Sequence, residues 1–335
     1  RIDTLGLQGL VDRLSDMFHV LTRGRRTAAP RHQTLQALLD WSHDLLTETD
    51  RKVLRRVAVF RGAFALDAAT HVGSCESIDA TAATDSLIGL VSKSLVAVDH
   101  SLGSTRFRLL ATTRAYALAR LTASGEWNAV SHRHASGVQS SLEAANREMQ
   151  ELDRDELRQR RTGYSALMDD LRGALDWALS AQGDHRLGVT LMLAAEKVIE
   201  QLCVMDEFRP RLELALRRAQ SLVPPDLLLE FRALSALCRS AGVSPDYGIR
   251  NPAIFCRLRE LLDQRGNRDD RIAALQSILT QLLGNGDYAG VADLAHQVIR
   301  TAGGPHEPAA IFLGGGLLAQ GQHAEGRHAG SLEVG

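Results

Sequence analysis

The chain is predicted to be mostly α: a winged helix with a small β-hairpin, followed by an array of helical hairpins. Three observations predict this. Leucine, alanine and arginine are plentiful while aromatics make up only 4 % of residues, a balance that favours helices over sheets. No proline falls between Pro30 and Pro210, so the middle lacks the residue that removes a helix donor and clashes with the preceding turn. Two short alternating runs, Leu95–Asp99 and Thr105–Leu109, flank a glycine-containing loop and read as a hairpin. At 335 residues and 44 % hydrophobic, the chain is long enough for about two or three domains.

The elements follow in order. Leu7, Leu10, Val11, Leu14 and Phe18 share one helix face within residues 1–30, and the basic segment Thr22–Thr27 leads to Pro30. A winged-helix domain is assigned to 31–121. Its first helix, from Thr34 to Leu46, carries Leu35, Leu38, Leu39 and Leu45. Thr47-Glu-Thr-Asp50 reads as a reciprocal capping box for the next helix, which buries Val53, Leu54, Val57 and Phe60. A short helix at Leu66–Val72 and a longer one at Asp79–Lys93 come before the hairpin. Residues 122–185 form a helical linker with a leucine stripe at 167, 171, 175 and 179, which is a packing face. Residues 186–335 are assigned to helical repeats. The prolines are taken as boundaries there, and Phe208, Tyr247, Tyr288 and His323 recur at comparable intervals. Gly286-Asp-Tyr-Ala289 resembles the tetratricopeptide turn, where small residues let two helices approach closely.

Several chemistries are excluded. Of the cations only Lys52, Lys93 and Lys197 are lysines, and none follows glycine. A phosphate-cradling P-loop, which needs Gly-Lys before Ser or Thr, is therefore missing, and no ATPase is expected in this chain. Cys75, Cys203, Cys238 and Cys256 make no C-x-x-C pair, so reduced thiols are expected without a metal or redox motif. Net charge is −1, which gives no whole-chain attraction for nucleic acid or membrane. The longest apolar stretch, Ala309–Ala319, is too short to span a bilayer, and a cytoplasmic location without membrane contact is expected. The chain begins without Met and stops just after a helical pattern, so it is expected to be part of something longer.

Linked motifs then point to a family. Pro30-Arg-His-Gln-Thr-Leu35, Asp40-Trp-Ser42, Arg55-Arg-Val-Ala-Val-Phe60, Leu90-Val-Ser-Lys-Ser-Leu-Val96, Phe107-Arg-Leu-Leu110 and Leu171-Arg-Gly-Ala-Leu-Asp-Trp-Ala-Leu179 occur in sequence. This series resembles the bacterial signal-transduction ATPases with numerous domains, specifically regulators with an NB-ARC-like ATPase, a winged helix and tetratricopeptide-type repeats. The resemblance implies that residues 1–30 end the helical lid of an upstream nucleotide-binding domain. It implies that the winged helix controls that domain and that the repeats bind a protein or small-molecule signal. It places DNA binding in a further N-terminal domain and ATP or ADP in the longer parent, with no cofactor in this chain.

One departure matters. Some relatives contact the ADP phosphate through the histidine of a Met-His-Asp motif; Leu109-Leu110-Ala111 stands at the corresponding place, and leucine donates no such bond. Arg31 and His32 are the substitute candidates for phosphate; alternatively, they only cap the following helix. Arg106 and Arg108 on the wing are candidate phosphate or DNA contacts. The helix 79–93 is too acidic for a usual recognition helix, so regulation of a neighbouring domain is favoured over direct DNA binding. A bare protein-interaction scaffold is the third alternative. His132-Arg-His134 is read as a surface pair, and Ser74-Cys75-Glu76 as a loop without a catalytic partner.

Overall fold

The computed structural model describes residues 30–99, 105–241 and 252–262, with the helical positions 270–272, 274, 275, 278, 282 and 294; side chains of 30–35, 154, 241 and 252 fall outside that description. The described residues are mostly helical, with one small two-stranded hairpin. The chain divides into two compact units at Ala178 and Leu179. Among the described residues, no helix is long and apolar enough to cross a membrane.

In the first unit, α1 (Pro30–Asp44) starts on a proline, whose fixed φ suits a helix start. Thr47 caps α2 (Glu48–Val57), its hydroxyl accepting from the Asp50 amide at 3.1 Å. The reciprocal capping box expected here forms only by half. The Asp50 carboxylate turns inward instead, to Ser86 Oγ at 2.7 Å and Lys93 Nζ at 2.9 Å. Next come α3 (Leu66–Gly73) and α4 (Ala80–Ser92), the latter capped by the Asp79 carboxylate on the Ala82 amide. Past α4, Ser94 adopts a left-handed φ of 58°. Its amide donates to Val91 and that of Leu95 to Leu90, the bond pair that closes a helix C-terminus.

The hairpin is shorter than the alternating runs: β1 (Ala97–Asp99) pairs antiparallel with β2 (Arg106–Arg108), Val98 opposite Phe107. One further bridge, beyond the three pairs of the hairpin, was not legible in the sequence. Phe64 and Phe107 exchange both backbone bonds at 2.8 Å, sewing the α2–α3 link to the wing. After α5 (Ala111–Ala123), the long α6 (Trp127–Glu151), α7 (Arg154–Ser165) and α8 (Met168–Ala178) complete the unit. Val53, Leu54, Val57, Phe64, Leu87, Leu90 and Leu121 are fully buried in one core. Each such aliphatic side chain stabilises the fold by about 1.5–3 kcal/mol.

The second unit stacks α9 (His185–Leu202), α10 (Met205–Gln220), α11 (Leu227–Ala241) and α12 (Pro252–Leu262), each packed on its successor. One boundary reading is corrected. Phe208 lies fully buried in the first turn of α10, and Pro210 sits inside that helix, not at its boundary. There, in the second turn of the helix, the proline removes one backbone bond, to the Asp206 carbonyl. Tyr247, Tyr288, His323, the turn at 286–289 and the pattern at 7–18 lie outside the described residues.

Candidate functional site

In a winged helix the second helix of the helix-turn-helix and the wing are the working surfaces. Here α4 turns Ser86, Leu87 and Leu90 inward and leaves Thr81, Asp85, Ile88 and Ser92 outward. Ile88 is 57 % exposed. The one lysine near this face, Lys93, is paired with Asp50. Burial alone would raise the Asp50 carboxyl, yet hydrogen bonds from Lys93 and Ser86 hold it below its ordinary value. The outward face is thus carboxylate, hydroxyl and aliphatic carbon, not a row of cations.

The two wing arginines part company. Arg108 is exposed, whereas Arg106 is half-buried and donates from Nη1 to the Ala63 carbonyl at 3.3 Å. Its Nε is buried without a hydrogen-bond partner among the described residues. Arg31 and His32 stand in the first turn of α1, and their side chains lie outside the described residues.

Behind the wing, α2 is bound to the entry of α6. Arg55 Nε and Arg56 Nη2 each donate to the Glu126 carboxylate at 2.7 Å. Burial would raise the Glu126 carboxyl, but these two guanidinium groups win and bring it to about 2. Arg61 lies across α8: its amide donates to Asp170 Oδ1 at 3.0 Å and its Nη2 to Asp176 Oδ2 at 2.9 Å. A Cβ at Gly173 would stand 3.0 Å from Arg61 Nε, so the bare glycine makes room for this crossing.

A cavity of about 370 Å³ opens beside these contacts, walled by Phe60, Phe64, Val72, Val138 and Leu167 and floored by His134. His134 corrects the surface reading of the His132–His134 pair. It is 2 % exposed, sits edge-on to Phe60, and places Nε2 3.5 Å from Asp170 Oδ1. The missed signal was the i, i+4 row Val130, His134, Val138 and Leu142, all buried on one side of α6. Cys75 lies in a loop, as the sequence reading of Ser74-Cys75-Glu76 expects. It sits partly exposed in the turn between α3 and α4, its Sγ 3.2 Å from Ser77 Oγ.

Residues 46–122 match the model of a winged helix-turn-helix domain. A Mycobacterium tuberculosis protein named "Putative HTH-type transcriptional regulator" is 39 % identical over 178 residues, covering 53 % of this chain and 20 % of that protein. A Mycobacterium bovis protein of the same description matches to the same extent. An uncharacterised M. tuberculosis protein is 38 % identical over 135 residues, covering 40 % of this chain and 34 % of its own length. The chain therefore spans a fifth to a third of the curated relatives it matches. No solved structure matches it.

Proposed function

We propose that this chain is the regulatory and sensor portion of a signal-responsive transcriptional regulator of the signal-transduction ATPase type. In this reading the winged helix works on protein: it holds an upstream nucleotide-binding domain, with Arg31 and His32 at the junction. The helical hairpins of the second unit, read as tetratricopeptide-like, bind a protein or small-molecule signal. The nucleotide is ATP or ADP on the upstream domain, and promoter contact belongs to another part of the parent.

One observation carries the reading. The outward face of α4 offers Asp85 and Ile88, and its neighbouring lysine is already neutralised by Asp50. A helix inserted into the major groove faces phosphates on both sides and draws most of its affinity from cations. An acidic, partly apolar face suits a protein neighbour better. The names of the mycobacterial relatives agree with a place in transcription control. The exposed Arg108 favours the second reading, in which the wing touches DNA directly.

The test sets both against each other. The chain is added to the separately produced upstream domain of its parent loaded with a fluorescent ADP analogue, and titrated in parallel with duplex DNA. Slower ADP release with only salt-sensitive, sequence-independent DNA binding is expected. A footprint on a defined sequence, lost in Arg108→Ala, together with unchanged ADP release, would move the function to DNA reading.

A further inference from the structure

The cavity between the wing and α6 is apolar over most of its wall. Two of the residues that line it, Arg106 and His134, nevertheless carry buried nitrogens without a hydrogen-bond partner among the described residues. Arg106 comes from β2. Its Nη1 donates to the Ala63 carbonyl at a long 3.3 Å, and its Nε is left over. His134 comes from α6 and is 2 % exposed. Its Nε2 stands 3.5 Å from Asp170 Oδ1, too far for a hydrogen bond, and that oxygen already accepts from the Arg61 amide at 3.0 Å. A buried nitrogen of this kind is costly unless something enters to answer it. The helix also leaves room for an occupant. Gly137 lines the cavity from the middle of α6, where glycine weakens a helix relative to alanine. At the ~30 Å³ that a water molecule takes in the liquid, the space of about 370 Å³ holds about a dozen non-hydrogen atoms.

We propose that this cavity binds a small monocarboxylic acid with an apolar body, its carboxylate on Arg106 and His134 and its body against Phe60, Phe64, Val138 and Leu167. The chemistry of the two nitrogens sets the class of ligand. The Arg106 Nε–H is a donor, and a guanidinium matches a carboxylate in both charge and geometry. The nearby Asp170 carboxylate favours a proton on His134 Nε2, which makes that nitrogen a second donor. Two donors call for an acceptor oxygen, and a carboxylate offers two. The other carboxylate in the wall, Asp67, is exposed, so water and salt screen its repulsion. Arg106 is the neighbour of Phe107, whose backbone is bonded to Phe64. An acid held at Arg106 and His134 therefore ties β2 to α6, and its presence is felt at the root of the wing.

The test titrates the whole chain with 3-phenylpropanoate and with octanoate, followed by ligand-observed NMR. The uncharged 3-phenylpropanamide, which keeps the shape and the carbonyl, is the reference. Both acids should bind, and 3-phenylpropanoate should bind about tenfold more tightly than its amide, because charge-assisted bonds are about twice as strong as neutral ones. Arg106→Gln should bring the acid down to the affinity of the amide. Gly137→Leu, which places a side chain in the cavity, should abolish binding of all three with the circular dichroism spectrum unchanged. Failure of both acids to bind would overturn the proposal. So would equal affinity for acid and amide, or acid binding that a folded Arg106→Gln variant retains in full.

Discussion

Arg56 reaches Glu126 across 70 residues of chain, Nη2 donating to Oε1 at 2.7 Å from a guanidinium that is almost wholly buried. The pair fastens α2 to the start of α6. A charge so placed is strongly destabilising once its partner is removed.

Acid should therefore loosen this contact. Glu126 ordinarily titrates near 4.5 and in the fold near 2. Its contribution is complete above the unfolded value and is lost as pH falls toward the folded one. Glu126→Gln should lower unfolding stability at pH 7 by about 2–3 kcal/mol. Urea titrations should show the gap to the parent closing between pH 4.5 and 2; a gap independent of pH would refute the assignment.

Asp50 should matter more than its partner Lys93. The Asp50 carboxylate is buried and serves both Ser86 and Lys93, while the Lys93 side chain is 44 % exposed. Asp50→Ala should cost about 2 kcal/mol, because it leaves a buried hydroxyl and an ammonium unanswered. Lys93→Met should cost less than about 1 kcal/mol, water replacing much of the pairing. Equal losses in thermal unfolding would contradict this order.

Ser94 offers the opposite sign. Its φ of 58° is left-handed, where a side chain is strained and glycine is not. Ser94→Gly should stabilise the first unit by about 0.5–1 kcal/mol, relief of strain outweighing the added freedom of the unfolded chain. Differential scanning calorimetry would show a higher Tm; a fall would mean that the serine hydroxyl contributes more than the strain costs.

On the proposed function, replacing Arg31 and His32 together by alanine in a chain that carries the upstream nucleotide-binding domain should raise basal nucleotide release without signal. Charge-assisted bonds of this kind contribute roughly 1.5–3 kcal/mol each, enough for more than tenfold in a closed-to-open ratio. Arg158→Ala, on the exposed α7, is the control and should change little. Unchanged release in a folded double variant would leave these residues as helix caps.

Several helices of the first unit were legible because they carry local signals: Thr47, Asp79 and the leucine stripe act within a turn or two of themselves. The parts that escaped are made by distant partners. The Phe64–Phe107 rung joins residues whose pairing no short pattern encodes. His134 looked like a surface residue because its sequence neighbours are His132 and Arg133, although its spatial neighbours are Phe60 and Asp170. Asp50 was read as a local cap because three-residue spacing suggested it, while a lysine 43 residues away competed for its carboxylate and won.

The crossing of Arg61 over Gly173 has a mechanical consequence. With its amide on Asp170 and its guanidinium on Asp176, Arg61 grips α8 at two points about a turn and a half apart, over a backbone that leaves no slack between them. The same link is stitched to the wing through Phe64. The α2–α3 link is thus held to α8 and to the wing at once, and a Cβ at 173 would press on the Arg61 side chain at 3.0 Å while leaving its amide bond to Asp170 in place.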